Sequence, residues 1–426
     1  MNQKNIGDSH KFETCWDMEY AKKFLNGKGE IGDIKGANKY EEECVAKFLK
    51  KYGLEQNEKK NVLFLGGDTK GCGYIRAFMP AQKINEYSKK YNAVFATVVT
   101  IELAHWADII IWQRQYKEVF LNFLLTAKDV GKVQIYELDD NFHEIPPSNP
   151  VYFELNPGEK KFYESLKWMS ICDKMLVSNP ELKEYYDTNV KVNCDIIGNC
   201  IDAEKVEKID KLDNRIRIVW AGGHTHLKDL LIIKSAIKRI KKEYGKKVKF
   251  TMIGCNGVAD FPIKKEKFID KDGTEKERTI CQHVDISIKH DKFVRWIDPV
   301  DAYVTKLNAM HFDIGLCPLE HTKFNKYKSN IKWLEYSLCG MATIASDYGP
   351  YQCIENDVDG CKIANNEESW YNAIKTLIDN KGIRTKLAEN ANKRVIENYD
   401  INKNWVKYEE LFDKLLKEKT IERNKL

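Results

Sequence analysis

Two kinds of hydrophobic pattern alternate along most of this chain. Short continuous apolar runs are typical of strands buried on both faces, and longer stretches with an apolar residue at every third or fourth position are typical of amphipathic helices. From residue 61 onward the short runs predict strands at residues 61–65, 93–99, 107–112, 133–138 and 174–178. Helical patterns separate most of these strands, at residues 74–89, 116–128 and 160–171. The alternation predicts a parallel sheet with helices on both faces.

The same alternation restarts after a connector at residues 195–202. It predicts a long helix at residues 227–244 and strands at residues 215–221, 248–253, 293–297, 312–317 and 342–346. A charged insertion at residues 255–290 interrupts the rhythm, and three helical patterns close the chain at residues 367–379, 382–399 and 402–417. We therefore predict an α/β fold made of two doubly wound parallel-sheet, Rossmann-like domains.

The predicted organisation has four parts. Residues 1–60 form a charged extension that is helical at residues 39–51. The N-terminal Rossmann-like domain spans residues 61–200, the C-terminal one spans residues 201–400, and residues 401–426 form a last helix. Ligands of such sheets bind outside the carboxyl ends of the strands, so we expect the active site in the cleft between the two domains.

Composition narrows the class of protein further. The 426 residues are 43% hydrophobic and 31% charged, as expected for globular domains with sizeable cores. The net charge of +5, from 69 basic and 64 acidic residues, does not require nucleic acid, although it is compatible with an anionic substrate, an anionic membrane surface or DNA. No apolar run approaches the ~18 residues of a membrane span, and the N-terminus has no apolar signal-peptide core. The 12 cysteines include no Cys-x-x-Cys pair, which favours reduced thiols in a cytoplasmic protein.

The most informative stretch is a polar loop that leads into an amphipathic helix and then a strand, at residues 324–346. Lys328, Ser329 and Lys332 lie at the predicted start of that helix. A basic residue is unfavourable at a helix N-terminus unless an anion is bound there, because the first amide groups are themselves electropositive. Glu335 follows seven residues after Lys328 and is placed to accept hydrogen bonds from ribose hydroxyls. The stretch indicates a protein that handles a nucleotide-diphosphate sugar.

A glycine turn opens the first helix of the second domain. Gly222 and Gly223 let the backbone approach an anion closely, and His224 and Lys228 lie in the turn and the first helical turn. We predict that these residues bind the diphosphate together with Lys328. His224 and His226 have the spacing of metal ligands, but no third ligand accompanies them, so we predict no metal.

The acceptor-side candidates lie in the first domain. Asp139 and Asp140 end a buried strand, where adjacent side chains point to opposite sides, so one of them is expected to orient or deprotonate an acceptor hydroxyl. His143 follows them as a second candidate. The loop after the first strand supplies Gly73, Tyr74 and Arg76. Its glycine spacing does not fit a dinucleotide-binding loop, so we predict that it contacts the acceptor or the diphosphate, and we assign these three residues to the acceptor side.

At these residues the chain resembles the GT-B glycosyltransferases, of the glycosyl transferases group 1 (family 4) type. Residues 196–202 look like the interdomain segment of that family, and Gly222 to Lys228 has the spacing of its phosphate-binding motif, with Gly223 where arginine is usual. Glu335 matches the second acid of the Glu-x7-Glu motif, whereas Tyr327 occupies the position of the first. Residues 324–336 and 133–150 are similar to a divergent branch found in bacterial surface-glycan and phage proteins.

The resemblance implies a GT-B fold with a C-terminal crossover helix that returns to the first domain. It also implies a donor held by the second domain without a bound metal, with the base near residues 294–297 and Trp296 among its neighbours. No cofactor is expected beyond the co-substrate, for which a UDP-sugar is expected. The catalytic candidates are then Asp139, Asp140, Lys228 and Lys328.

We therefore predict a cytoplasmic glycosyltransferase that moves a sugar to a hydroxyl of a bacterial glycan, a lipid-linked intermediate or a protein. Peripheral membrane contact would suit a lipid-linked acceptor. One alternative is a phage-type enzyme that glycosylates hydroxymethylated bases in duplex DNA, which would need a basic stripe and a pocket for an extruded base. Another alternative is a catalytically silent nucleotide-sugar-binding protein, and a nonhydrolysing sugar-nucleotide epimerase shares the fold.

Overall fold

The computed structural model describes residues 39–54, 58–147, 149, 151–207, 213–295, 297 and 300–424. Most of the predicted extension, residues 1–38 and 55–57, lies outside the described residues. Helix α1 (Lys39–Tyr52) confirms the helix predicted at residues 39–51.

The chain divides into two compact units. The first unit groups Met1–Asp139, Lys160–Asn199 and Ile401–Leu426, and the second groups Asp140–Glu159 and Cys200–Asp400. Residues 140–159 therefore pack with the second unit, whereas the division predicted near residue 200 places them in the first.

The first unit is built on a six-stranded sheet in the order β2-β1-β3-β4-β5-β6, and every pair of neighbouring strands is parallel. Its strands are β1 (Lys60–Leu65), β2 (Tyr91–Ala96), β3 (Ile109–Gln113), β4 (Val133–Leu138), β5 (Lys174–Val177) and β6 (Cys194–Ile196). The first five match predicted strands, because each is buried along most of its length and so reads as an apolar run. Strand β6 was not predicted, since it has three residues and lies at the sheet edge.

The second unit is built on another six-stranded parallel sheet, in the order β11-β8-β7-β12-β13-β14. Its strands are β7 (Ile216–Gly222), β8 (Val248–Gly254), β11 (Lys292–Val294), β12 (Ile314–Cys317), β13 (Ala342–Ser346) and β14 (Cys361–Ile363). Along β7, Ile218 and Trp220 face one hydrophobic core, and Val219 and Ala221 face another. The sheet is thus covered on both faces, as predicted.

The remaining strands, β9 (Val258–Ile269) and β10 (Glu275–Asp285), form a separate antiparallel hairpin within the insertion at residues 255–290. The sequence did not predict it. Most described side chains on both faces of the hairpin are exposed, and charged residues dominate them, so the apolar alternation that marks a half-buried strand is missing.

Helices connect the strands and cover the sheets. After α1 they are α2 (Gly71–Gly73), α3 (Met79–Tyr87), α4 (Ile101–Trp106), α5 (Glu118–Asp129), α6 (Tyr152–Leu155), α7 (Lys160–Ile171), α8 (Pro180–Tyr185), α9 (Leu227–Tyr244), α10 (Tyr303–Ala309), α11 (Lys323–Lys326), α12 (Ile331–Leu338), α13 (Glu367–Asp379), α14 (Lys381–Asn398), α15 (Ile401–Asn404) and α16 (Val406–Arg423). Among the described residues, no helix combines the length and the apolar character needed to cross a membrane.

The last helix of the chain belongs to the first unit. In α16, the ring centroids of Tyr408 and Phe412 lie 6.0 and 6.4 Å from that of Phe64 in β1, and Phe412 lies 5.3 Å from Tyr91. The Ser88 hydroxyl donates to the Glu409 carboxylate at 2.6 Å. These contacts place the C-terminal helix on the first sheet, as the family resemblance implied.

A buried ion pair lies at the centre of the first unit. Arg76 and Glu137 are 1% and 0% exposed, and Nε of Arg76 donates to Oε1 of Glu137 at 2.6 Å. The guanidinium also donates to the Ile197 carbonyl and to the Asn199 side chain, at 2.7 and 3.0 Å. Burial raises the pKa of Glu137 to about 7, although Arg76 acts in the opposite direction. Arg76 was predicted to face the acceptor, but it is buried and connects strand β4 to the segment that follows β6.

We expect Arg76→Met to lower the free energy of unfolding by about 3–5 kcal/mol, because it leaves the Glu137 carboxyl buried without its partner. Urea denaturation followed by circular dichroism measures this loss. The control is Lys160→Met, which removes a pair between side chains that are 73% and 66% exposed and should change stability by less than about 1 kcal/mol. Equal effects of the two substitutions would contradict a structural role for the buried pair.

Candidate functional site

The second sheet reverses its winding direction between β7 and β12. From β7 the strands run outward through β8 to β11, and the chain then returns to β12 and runs the other way. In a parallel sheet, connections that leave two adjacent strands in opposite directions open a crevice at the carboxyl ends of those strands. Residues 222–226 follow β7 and residues 318–330 follow β12, so these two segments flank the crevice.

The segment after β7 is a tight turn with an open backbone. A Cβ atom on Gly222 would lie 2.9 Å from Cζ2 of Trp220, so this position requires glycine. A Cβ atom on Gly223 would meet nothing within 4 Å, so the missing side chain leaves the backbone there accessible. The backbone N–H of Ala221 donates to the hydroxyl of Tyr336 at 2.9 Å, which attaches the end of β7 to α12.

The packing of Tyr336 also explains why one residue of β12 is a glycine. A Cβ atom on Gly315 would lie 2.2 Å from Cδ2 of Tyr336, because the fully buried ring packs directly on the strand backbone. Helix α12 is therefore fixed to two adjacent strands through one side chain. Its first turn, which carries the predicted anion-binding residues, has a defined position at the crevice.

The loop after β12 is held by hydrogen bonds from side chains. The Leu319 N–H donates to Oγ of Ser346 at 2.8 Å, and Nδ2 of Asn325 donates to the Glu320 carbonyl at 2.9 Å. Thr322 caps α11 by accepting the Asn325 N–H at 3.1 Å. The polar residues of this stretch thus order the loop that carries Lys328.

The structure places Lys328, Ser329 and Lys332 around the start of α12. Nζ of Lys328 lies 3.7 Å from Oδ1 of Asp140 and 4.5 Å from the ring centroid of Phe324. Oγ of Ser329 accepts the Ile331 N–H at 3.3 Å, so it caps an otherwise unpaired amide of the first turn.

Lys332 points from the first turn of α12 toward β7. Its Nζ lies 6.0 Å from the ring centroid of Trp220, and it forms no ion pair within the part of the chain that the structure describes. Burial lowers the pKa of Lys332, an effect that Asp229 opposes and Lys328 strengthens. Two ammonium groups therefore lie close enough to repel each other, at a helix end that is itself electropositive, and an anion would relieve this repulsion.

Glu335 lies one turn further along α12 and is largely buried. Burial raises its pKa to about 8, although Lys332 acts in the opposite direction. At neutral pH the carboxyl group of the unliganded protein therefore carries a proton and can both donate and accept a hydrogen bond.

The sequence prediction missed two residues at this site, His226 and Asp229. Asp229 is 3% exposed, and its Oδ2 lies 2.7 Å from Nδ1 of His226. Burial, and next the charge of Lys332, lower the pKa of His226 to about 4. The spacing of three residues at a helix start was the available signal, since it puts both side chains on one face.

The adjacent carboxylates Asp139 and Asp140 diverge. Oδ1 of Asp139 lies 2.7 Å from Nε of Arg114 in the first unit, and Asp139 is 6% exposed. Asp140 belongs to the second unit and faces Lys328. The two side chains thus have different partners, as expected for neighbours at a strand end.

Other predicted donor-site residues lie further out or cannot be placed. His224 and Lys228 are exposed on the turn and at the start of α9, so it is His226 rather than His224 that lies beside Lys332. Trp296 lies outside the described residues.

The remaining acceptor-side candidates have local structural partners. A Cβ atom on Gly73 would lie 1.8 Å from the Asp68 carbonyl oxygen, so glycine is required for this loop to close. Tyr74 is 9% exposed and its ring stacks on Phe78 at 5.5 Å. His143 lies in the second unit, and burial lowers its pKa to about 4. The acceptor role of these three residues stays a prediction.

Within the described residues, no group of three or more histidine, cysteine, aspartate or glutamate side chains is arranged to hold a metal ion.

Several solved structures share the fold of this protein. Sucrose-phosphate synthase from Thermosynechococcus elongatus is 10% identical with a TM-score of 0.57, over 84% of this chain and 99% of that one. HepE from Anabaena, in complex with UDP-glucose, is 13% identical with a TM-score of 0.57, over 83% and 99% of the two chains. A glycosyltransferase from Rickettsia africae is 13% identical with a TM-score of 0.56, over 85% and 100%. The two Rossmann-like units have the GT-B fold, as predicted.

Part of the second unit also matches a known family by sequence. Residues 215–380, from β7 to the end of α13, match the family of the glycosyl transferases group 1. This match spans both segments that flank the crevice, and it confirms the resemblance to group 1 glycosyltransferases. No curated protein matches the chain.

The buried carboxyl of Glu335 should make stability depend on pH. Its pKa is raised in the folded protein, so the folded state retains a proton that the unfolded state loses, and the free energy of unfolding falls as pH rises from about 4.5 to about 8. Glu335→Gln cannot lose this proton. We compare the melting temperature of Glu335→Gln with that of the unsubstituted protein at each pH. We expect the difference, variant minus unsubstituted protein, to be larger at pH 8.5 than at pH 5.

Differential scanning calorimetry across this pH range measures the effect. Glu335→Ala is the control, because it removes the same carboxyl group and should show the same pH-dependent gain on top of a constant loss from the cavity it leaves. A melting-temperature difference that does not vary with pH would contradict the buried, protonated state.

Proposed function

We propose that this protein is a glycosyltransferase that moves a sugar from a nucleotide-diphosphate sugar to a hydroxyl of an acceptor. The observation that carries the proposal is Lys332, whose half-buried ammonium group has no ion-pair partner among the described residues and lies beside Lys328 at a helix start. A buried cation is costly unless a counter-charge is supplied. The match of residues 215–380 to group 1 glycosyl transferases supports a sugar donor as the source of that charge.

The diphosphate of the donor binds where the electropositive groups converge. Lys328 and Lys332 supply ammonium groups, and the start of α12 supplies amide groups and the positive end of the helix dipole. The open backbone at Gly223, in the turn that Gly222 begins, approaches the same anion from β7. Lys228 and Ser329 supply further polar contacts to the diphosphate.

Glu335 binds the ribose of the donor. It lies one turn from Lys332, so a nucleotide whose diphosphate meets the lysine extends its sugar along α12 toward this carboxyl. A protonated carboxyl matches two neighbouring hydroxyls, since it donates one hydrogen bond and accepts another. We propose a UDP-sugar as the donor, and the UDP-glucose bound in the structurally similar HepE supports this choice.

In the reaction, the acceptor oxygen forms a bond with the anomeric carbon while the bond from that carbon to the β-phosphate oxygen breaks. The electron pair leaves with the nucleoside diphosphate, so negative charge grows where Lys328 and Lys332 lie. Removing one well-placed donor to a developing charge typically lowers a rate roughly 100- to 1000-fold. Asp140 is the better candidate of the two adjacent carboxylates to receive the acceptor proton, because Arg114 already holds Asp139.

The acceptor is a hydroxyl of a glycan, of a lipid-linked intermediate or of a protein side chain. The resemblance of residues 133–150 and 324–336 to a branch found in bacterial surface-glycan and phage proteins is the basis for this range of acceptors.

Lys332→Met should weaken UDP binding without unfolding the protein. The substitution keeps the apolar stem near Trp220 and removes only the ammonium group. A hydrogen bond to a charged group contributes about 1.5–3 kcal/mol, so we expect the dissociation constant to rise roughly 10- to 100-fold. Isothermal titration calorimetry with UDP measures it, and turnover of the UDP-sugar should fall by a larger factor.

The matched control is Lys326→Met, an exposed lysine that precedes the same helix start. It should leave the affinity for UDP unchanged. The proposal is overturned if Lys332→Met binds UDP and turns over the donor as the unsubstituted protein does.

A further inference from the structure

Asp229 connects the two segments that flank the crevice. Its Oδ1 accepts the backbone N–H of Glu320, in the loop after β12, at 2.7 Å. Its Oδ2 lies 2.7 Å from Nδ1 of His226, in the turn after β7. Both oxygens of a buried carboxylate are therefore used, which fixes the orientation of the His226 ring.

This contact also fixes which nitrogen of His226 carries the proton. An ionised carboxylate only accepts hydrogen bonds, so Nδ1 must be the donor, and Nε2 of the neutral ring is left as a bare acceptor. Within the residues that the structure describes, the hydrogen bond of the His226 ring is the one between Nδ1 and Asp229. The neighbouring Cδ2 lies 3.5 Å from the position that a Gly222 Cβ would take, so this edge of the ring faces the open turn.

The charges around His226 explain why the ring is neutral in the unliganded protein. Asp229 faces it from the start of α9, and Lys328 and Lys332 face it from the loop and from α12. The carboxyl group of Glu335 raises the pKa of Lys332 and so favours the charged form of that neighbour of His226. Burial and the two ammonium groups oppose a third positive charge, and Asp229 alone favours it. A bound diphosphate would reverse this balance, because its negative charge offsets both lysines.

We infer that His226 takes up one proton from solvent when the donor diphosphate binds, and that its Nε2–H then donates a hydrogen bond to a phosphate oxygen. Asp229 is the positioning residue, since it holds Nδ1–H and stabilises the imidazolium ring. The inference rests on the proposed function and adds a third cation to the site, one that exists only while the anion is present. This cation also stabilises the charge that grows on the departing nucleoside diphosphate.

Proton uptake is measurable independently of activity. UDP-glucose is titrated into the protein at pH 6.5 by calorimetry in two buffers of different ionisation enthalpy, because neither phosphate of UDP-glucose titrates near this pH. We expect uptake of up to one proton per bound UDP-glucose, and we expect His226→Gln to remove most of it. Affinity should fall by at most tenfold per pH unit between pH 6 and pH 8, less steeply in His226→Gln.

Asp229→Asn tests the positioning role. It retains the size of the side chain but not its charge, so we expect it to bind UDP-glucose with reduced proton uptake. His283→Gln is the control, because His283 also pairs with a carboxylate, Asp260 at 2.8 Å, but lies exposed on the β9–β10 hairpin. His283→Gln should leave both the affinity and the proton count unchanged.

The outcomes separate the inference from the proposed function. If UDP-glucose binds and His226→Gln takes up as many protons as the unsubstituted protein, the inference is overturned and the proposed function stands. If His226 has only a structural role, His226→Gln will weaken binding equally at every pH and leave the proton count unchanged. This outcome also overturns the inference. If none of UDP-glucose, GDP-mannose and ADP-glucose binds to the unsubstituted protein, the proposed function is overturned, and the inference with it.

Discussion

The packing of Tyr336 on Gly315 is the constraint on which the site depends. A helix can approach a strand this closely only where the strand has no side chain, and the phenol hydroxyl then reaches the Ala221 N–H of the neighbouring strand. One residue thereby joins α12, β12 and β7 at the point where the sheet reverses its winding. The turn after β7 and the first turn of α12 hold a fixed separation, so groups that are more than a hundred residues apart in sequence can act on one ligand.

The electrostatics of the crevice follow from this arrangement. The lysines and the helix end accumulate positive potential in a partly buried place, where charges are screened less than at the surface. Burial lowers the pKa of Lys332 and of His226 and raises that of Glu335, and the neighbouring ammonium groups add to the first two shifts. Each of these shifts moves a group away from its charged form in the unliganded protein. A diphosphate would favour the charged forms of Lys332 and His226, and this preference makes the site selective for an anion.

The charged residues that were predicted as site residues differ in their burial and in their partners. Arg76 is enclosed with Glu137 and the carbonyl of Ile197, so its guanidinium group bonds within the first unit. Asp139 is held by Arg114 in the same unit. Asp140, one residue later, faces Lys328 and retains partial exposure. Residues of the same type and nearly the same sequence position therefore differ in chemistry because of the groups that surround them.

The sequence by itself determined the two sheets and most of their strands, because buried parallel strands read as apolar runs. It also drew attention to the lysines at the start of α12, because lysines at a helix start are locally unfavourable. It did not predict the β9–β10 hairpin, whose two exposed faces carry no hydrophobic alternation. Only the tertiary structure decided that Arg76 is enclosed, that residues 140–159 pack with the second unit, and that His226 and Asp229 join the site. Burial and pairing between distant segments depend on how strands are ordered in the sheet, and a local pattern contains no record of that order.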